Sequence, residues 1–163
     1  MKKFSMILLV FILGCKSAKT ISESEPVIYM NKTACFGTCP DYDISIFSDG
    51  SVLLNARQFV EMEGTFEAKL PKEELKALVN AFKESQFDDF ENEYKSNKTD
   101  LPTTTITFNH EDVNKKIIDY DGAPEELKEL ESKVHSLIQK LNWKMKGVIK
   151  NPDFGRNQGL FYF

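Results

Sequence analysis

The 163-residue sequence has no excess of basic residues, no long apolar segment and few cysteines. Its formal net charge is −4, which argues against nucleic acid as a partner, because phosphate binding needs a basic surface. The apolar run at residues 6–13 has eight residues, whereas a helix that crosses a bilayer needs about 20. With 41% hydrophobic and 28% charged residues, the chain has the composition of a globular protein of one domain.

The common catalytic signatures are also missing. The sequence contains no His-Glu-x-x-His, no Gly-x-Ser-x-Gly and no phosphate-binding Gly-Lys-Ser/Thr. The aspartates do not complete a calcium loop, and His110-Glu111-Asp112 is typical of a solvated turn rather than a metal site. We therefore expect no catalytic residues, no metal ligands and no enzyme activity.

The N-terminus has the order of a secretory signal peptide. Lys2 and Lys3 precede the apolar run, and Gly14 and Cys15 follow it. The sequence Ile-Leu-Gly-Cys resembles the bacterial lipobox, in which the cysteine is acylated, for example with palmitate, and becomes the new N-terminus. The resemblance implies a signal peptide at residues 1–14, a covalent lipid on Cys15 as the membrane anchor, and a polar tether at residues 15–26. Lys16 is similar to the residue found in lipoproteins sent to the outer membrane, so we expect a periplasm-facing protein of the cell envelope.

The rest of the sequence alternates predicted hairpins with predicted helices. Strands are expected at residues 27–33, 42–47, 51–60, 103–108 and 115–121, and amphipathic helices at residues 71–86 and 124–141. This order predicts an α+β domain at residues 27–146, with an antiparallel sheet of about five strands (β-β-β-α-β-β-α) and both helices packed on one face. The C-terminal tail, residues 147–163, is expected to be an edge strand or a disordered end.

The first hairpin allows a prediction of register. A three-residue loop, Ser48-Asp49-Gly50, would pair Ile46 with Val52 and Ile44 with Leu54, which keeps the apolar side chains on one face. A two-residue turn would mix the faces. We therefore expect Gly50 to adopt a left-handed backbone conformation.

Cys35 and Cys39 are separated by three residues, and outside the cytoplasm two such thiols can form a disulfide across a tight turn. On this interpretation Gly37 relieves backbone crowding and the disulfide is a structural staple. The alternative is a reactive thiol pair or a Cu(I) site. Cys-x-x-x-Cys-Pro resembles the thiol motif of periplasmic copper-delivery proteins with a thioredoxin fold, although there the motif opens a helix and here it precedes a strand.

The surrounding residues carry a second resemblance. The segment Cys-Phe-Gly-Thr-Cys-Pro-x-Tyr, followed by Asp49-Gly50, resembles a bacterial envelope domain family catalogued only as a domain of unknown function. The resemblance extends to about Trp143 and includes Gly64, Tyr94…Asp100-x-Pro102 and Ala123-Pro124. The motif residues around the cysteine pair are Phe36, Gly37, Thr38, Pro40 and Tyr42, and we take them as candidate site residues, although the family carries no established activity.

A long polar segment, residues 88–100, is a possible binding loop because it contains Phe90, Tyr94 and Asp100. A solvated connection is the alternative. The sequence therefore predicts a membrane-anchored lipoprotein that acts as a non-catalytic binding or structural module, with a possible envelope protein as partner. The alternative is a periplasmic redox or copper-binding protein that uses Cys35 and Cys39.

Overall fold

Eight strands and two helices make up residues 25–147, the part of the chain that the computed structural model describes. The strands are β1 (Ile28–Lys32), β2 (Asp41–Ile46), β3 (Ser51–Gln58), β4 (Gly64–Lys69), β5 (Glu93–Tyr94), β6 (Thr104–His110), β7 (Val113–Asp119) and β8 (Lys144–Gly147). The helices are α1 (Lys72–Glu84) and α2 (Glu125–Lys140), and a 3₁₀ turn spans Phe87–Asp89. The predicted signal peptide, Cys15, most of the predicted tether and nearly all of the tail lie outside the described residues.

All eight strands belong to one sheet, in the order β5-β7-β6-β1-β2-β3-β4-β8. Neighbouring strands are antiparallel except β5 and β7, which are parallel, so the sheet is mixed. The α+β class is confirmed, but the sheet has eight strands rather than about five, and the parallel pair β5–β7 departs from the expected antiparallel sheet. Sequence patterns missed β4, β5 and β8, because these strands have two to six residues and few apolar side chains to mark an alternation.

The predicted register of the first hairpin is confirmed. Ile46 pairs with Val52 and Ile44 with Leu54, and Gly50 has φ +83°. A one-residue slip would turn every buried side chain of β3 to the opposite face, so burial of that face fixes the pairing.

Both helices cover the same face of the sheet and lie close to their predicted positions. Leu78, Val79 and Phe82 of α1 and the apolar stripe of α2 join the inward-facing strand residues in one core. Where α1 contacts the sheet, three rings pack against one another with centroids 5.0 to 5.9 Å apart, namely Phe82, Phe87 and Phe108. Burial of each such side chain stabilises the fold by about 1.5–3 kcal/mol. No helix among residues 25–147 is long and apolar enough to cross a membrane.

The two ends of the sheet differ in what they carry. The tether end receives the chain at residues 25–27 and holds the turns at 47–50 and 111–112, since Ile28 pairs with both Ile46 and Phe108. The loop end, about 13 Å away along β1, holds the connections at residues 33–40, 59–63 and 120–124. The cysteine motif therefore lies at the end of the sheet opposite to residues 25–27, where the predicted tether would enter.

Candidate functional site at the loop end of the sheet

A disulfide between Cys35 and Cys39 closes the connection from β1 to β2. Their Cα atoms are 5.6 Å apart, and both residues are half-buried. The Gly37 amide donates to the Cys35 carbonyl at 2.9 Å, which tightens the turn inside the ring. Thr33 fastens the base of the loop to Thr103, because its amide donates to the Thr103 carbonyl and its hydroxyl accepts from the Thr103 amide.

The glycine in this loop does not have the role expected from the sequence. Gly37 lies outside the left-handed region. A side chain there would meet only the Cys35 Sγ, at 3.7 Å, which is an ordinary contact. Crowding therefore does not require glycine at this position.

Phe36 is the most exposed large apolar residue of the loop. Its side chain is 92% exposed, next to the exposed Gly37 and Thr38. The ring is presented on a loop of five residues whose ends are covalently joined. Such an aromatic loses little conformational freedom when a partner covers it.

Tyr42, the last residue of the motif, points the opposite way and is completely buried under α2. Its hydroxyl lies 2.7 Å from His135 Nδ1. Burial, and to a lesser extent the charge of Glu131, raises the pKa of Tyr42, while burial lowers the pKa of His135. The tyrosine therefore keeps its proton and donates to a neutral imidazole, which joins the start of β2 to the middle of α2.

Strand register gathers further polar residues beside Tyr42. Asp119 pairs with Thr104, Thr104 with Lys32, and Lys32 with Tyr42, so four neighbouring strands place one residue each in a single row at the loop end. The row faces α2, which adds Lys128, Glu131 and His135. We call these residues the loop-end cluster: Lys32, Tyr42, Asp119, Lys128, Glu131 and His135.

Charge within the loop-end cluster is buried and only partly paired. Lys128 Nζ bonds the Asp119 carboxylate directly, and Lys32 Nζ lies 3.8 Å from Glu131 Oε2. Asp119 is 1% exposed and Glu131 3% exposed. Burial raises the pKa of Glu131 to about 7, and the nearby Lys128 and Lys32 offset this effect only in part.

Sequence reasoning missed Asp119 and Glu131, although a signal was present. Glu131 occupies the i+4 position of the stripe that begins at Leu127, where the pattern calls for an apolar residue. Asp119 likewise falls on the inward phase of β7, two residues after the buried Ile117. An acidic residue at an apolar position of an otherwise regular pattern indicates a buried polar site.

The opposite face of the sheet carries a second polar network, and no helix among residues 25–147 covers it. Arg57 bonds both Asp41 and Asp43, and Asp43 also accepts from Asn31 Nδ2 at 2.6 Å and from the Tyr29 hydroxyl at 3.0 Å. Burial and the bond to Asp43 raise the pKa of Tyr29 to about 12. The network links β1, β2 and β3, and its charged side chains pair with one another within the domain.

The segment at residues 88–100 is folded onto the edge of the sheet. Phe90 packs edge-on against Phe87, with centroids 6.0 Å apart, and Tyr94 lies in β5 beside β7. Both rings are partly buried against the core, and Asp100 is exposed with φ +65°. The two aromatic residues thus act in packing, which leaves Asp100 as the accessible member of the three.

The described residues contain no group of three or more His, Cys, Asp or Glu side chains placed to hold a metal ion. Tyr42 and His135 are hydrogen-bonded beneath α2. The chemistry available at the loop end is therefore an exposed aromatic, a disulfide, and a buried set of hydrogen-bonded and charged groups.

No curated protein matches the chain. Residues 26–138 match the family described as "Domain of unknown function (DUF6438)", and the match covers β1 to all but the last two residues of α2, together with the whole loop-end cluster. Because the matched segment is more than half of the 163 residues, the chain belongs to the DUF6438 family.

Proposed function

We propose that this protein is a lipid-anchored, non-catalytic binding module of the bacterial cell envelope, and that it binds an envelope protein through the disulfide-closed loop. The observation that carries the proposal is the 92% exposure of Phe36 on this loop. Aromatic residues are enriched in protein interfaces, and a ring held on a closed loop is suited to filling a pocket.

The position of the loop supports the same proposal. The tether would reach the domain at residues 25–27, at the opposite end of the sheet, so a domain held by Cys15 presents Phe36 away from its anchor. The tether of residues 15–26 spans about 40 Å when extended. A partner in the periplasm could therefore approach the loop without displacing the domain from the membrane.

A photo-crosslinking amino acid at position 36 of the full lipoprotein, expressed in cells, tests the binding role. We expect adducts with one envelope protein, and fewer adducts of that protein when an unchanged chain competes than when a Phe36→Ser chain does. Met145 on β8 is a matched control position, since it is 62% exposed but lies on an edge strand. Equal adducts at both positions, adducts with lipid, or none at position 36 would contradict the proposal.

The lipid anchor has a separate test. Mass spectrometry of the membrane fraction should find the mature N-terminus at an acylated Cys15, and Cys15→Ala should block processing or release the domain. A soluble protein cleaved at another position would remove the anchor from the proposal. Separation of inner and outer membranes then tests the proposed outer-membrane location.

A thiol-dependent function is the second candidate, and the incomplete burial of Cys35 and Cys39 favours it. A reductant can reach a half-exposed disulfide, and the reduced pair could exchange disulfides or bind Cu(I). Titration of the disulfide against glutathione distinguishes the two functions. A reduction potential below about −300 mV marks a structural disulfide, whereas a readily reduced pair that binds one equivalent of Cu(I) would favour the thiol function.

A further inference from the structure

Two buried carboxyl groups lie beside the same Lys128 ammonium beneath α2, and each has one oxygen without a partner. Among the described residues, Asp119 Oδ1 and Glu131 Oε1 are both inaccessible to solvent and accept no hydrogen bond. Their other oxygens face cations, since Asp119 Oδ2 accepts from Lys128 and Glu131 Oε2 lies within 4 Å of Lys32 and Lys128. A buried polar atom without a partner costs about 1–3 kcal/mol of stability. Two such atoms on carboxyl groups that are neighbours in space therefore call for an explanation.

A single proton on this pair of carboxyl groups would supply the missing hydrogen bond. A protonated carboxyl group has an O–H donor, and a carboxylate accepts. With a proton on one of the two groups, its O–H donates to the other group, so a bond between the carboxyl groups replaces a missing partner. Two carboxylates in contact cannot both ionise easily, which is the arrangement in which one of them retains its proton to an unusually high pH.

We propose that Glu131 and Asp119 share a single proton, and that this shared proton makes the attachment of α2 to the loop end of the sheet sensitive to pH near neutrality. When the pH rises, the proton leaves to water and two adjacent carboxylates remain. They then face Lys32 from β1, Lys128 from α2 and the neutral Tyr42 from β2. The shift of the Glu131 pKa to about 7 agrees with this arrangement.

The shared proton affects β1 and β2, the two strands that form the stems of the disulfide loop. Lys32 ends β1 and contacts Glu131, while Tyr42 lies in β2 and contacts His135, so α2 holds both stems through neighbouring turns. A change of charge at Glu131 alters the first of these contacts directly. The inference does not require a binding partner and stands apart from the proposed binding role.

Titration of the Glu131 side-chain carboxyl by ¹³C NMR, on the full chain in detergent micelles, tests the proposal directly. We expect a midpoint near pH 7, and a midpoint near the ordinary value of 4.5 would overturn it. Assignment through the backbone avoids any variant, so the test does not depend on the folding of a mutant.

Stability measurements provide a second test. The unfolded glutamate ionises near pH 4.5 and the folded one near 7, so the folded state loses stability as pH rises through this window. Glu131→Gln is the reference variant, because its amide donates to Asp119 and does not titrate. The equilibrium constant for unfolding of the unchanged chain, divided by that of this variant, should rise at least about tenfold between pH 5 and 7.5. Because His135 titrates in both chains, the ratio isolates Glu131. Glu129→Gln, on the exposed side of α2, should leave the ratio to the unchanged chain constant. A constant ratio for Glu131→Gln would overturn the proposal.

Discussion

The hydroxyl of Tyr42 and Nδ1 of His135 lie 2.7 Å apart, although 93 positions separate the two residues in the sequence. Tyr42 belongs to the cysteine motif and follows the disulfide loop by three residues. His135 is in the middle of α2, which lies across the loop end of the sheet. This contact connects the exposed loop to the interior of the domain.

Removal of the Tyr42 hydroxyl should destabilise the domain. In Tyr42→Phe the ring still fills its buried site, but His135 Nδ1 loses its donor, and we expect a loss of about 1–2 kcal/mol in the free energy of unfolding. Chemical denaturation at pH 7.5 measures it. Tyr29→Phe is the matched control, because Asp43 keeps its bonds to Asn31 and Arg57 and should lose only about 0.5 kcal/mol. Equal losses in the two variants would contradict the importance of the Tyr42–His135 bond.

His135 should make the domain less stable in mild acid. Burial, aided by the charge of Lys32, lowers the pKa of the folded imidazole below its ordinary 6.5. Below pH 6.5 the unfolded chain therefore binds a proton that the folded chain resists, so stability falls as pH decreases through this region. The stability advantage of the unchanged chain over His135→Gln should shrink between pH 7.5 and 5. His110→Gln controls for loss of a histidine, and an advantage that stays constant with pH would contradict the prediction.

Gly50 lies in the first hairpin turn, and Gly122 is its matched control outside that turn. Substituting each by alanine compares the loss of stability that a side chain causes at the two positions. Both have positive φ, +83° and +94°, but a Cβ at Gly50 would lie 2.7 Å from the Leu70 carbonyl oxygen, whereas Gly122 has no atom within 4 Å. Gly122→Ala should cost about 1–2 kcal/mol through backbone strain alone. Gly50→Ala should cost about 3 kcal/mol, because the Leu70 amide also bonds the Gly50 carbonyl and the turn must shift. Thermal unfolding of the two variants measures the difference, and equal costs would exclude a role for the Leu70 contact.

The disulfide should contribute less to stability than a disulfide that closes a longer loop. It closes a ring of five residues, and the loop-entropy relation then gives about 2 kcal/mol. Denaturation of the Cys35→Ala/Cys39→Ala double variant should show a loss near this value. A reductant should lower the stability of the unchanged chain by a similar amount and leave the double variant unaffected. A much larger loss in the double variant would mean that the loop holds more of the fold than its length implies.

Residues that are neighbours along the chain carried most of the correct sequence predictions. The stripes of α1 and α2 repeat every three to four residues, and the faces of β2 and β3 alternate. Periodicity therefore determined the helices, the first hairpin and even its register. In the same way, the glycine of the Asp49-Gly50 turn identified the position that needs a positive φ.

Elements without a pattern of their own were decided by their neighbours in space. β5 has two residues and β8 four, and each is a strand because it adds to an edge that the sheet already offers. The loop-end cluster has the same origin, since Lys32, Tyr42 and Asp119 come into one row only when β1, β2, β6 and β7 pair in register. The burial that raises the pKa of Glu131 exists only once α2 has packed on that row. The cysteine motif could be recognised from adjacent residues, but the buried carboxyl pair beneath it depends on contacts that only tertiary packing brings together.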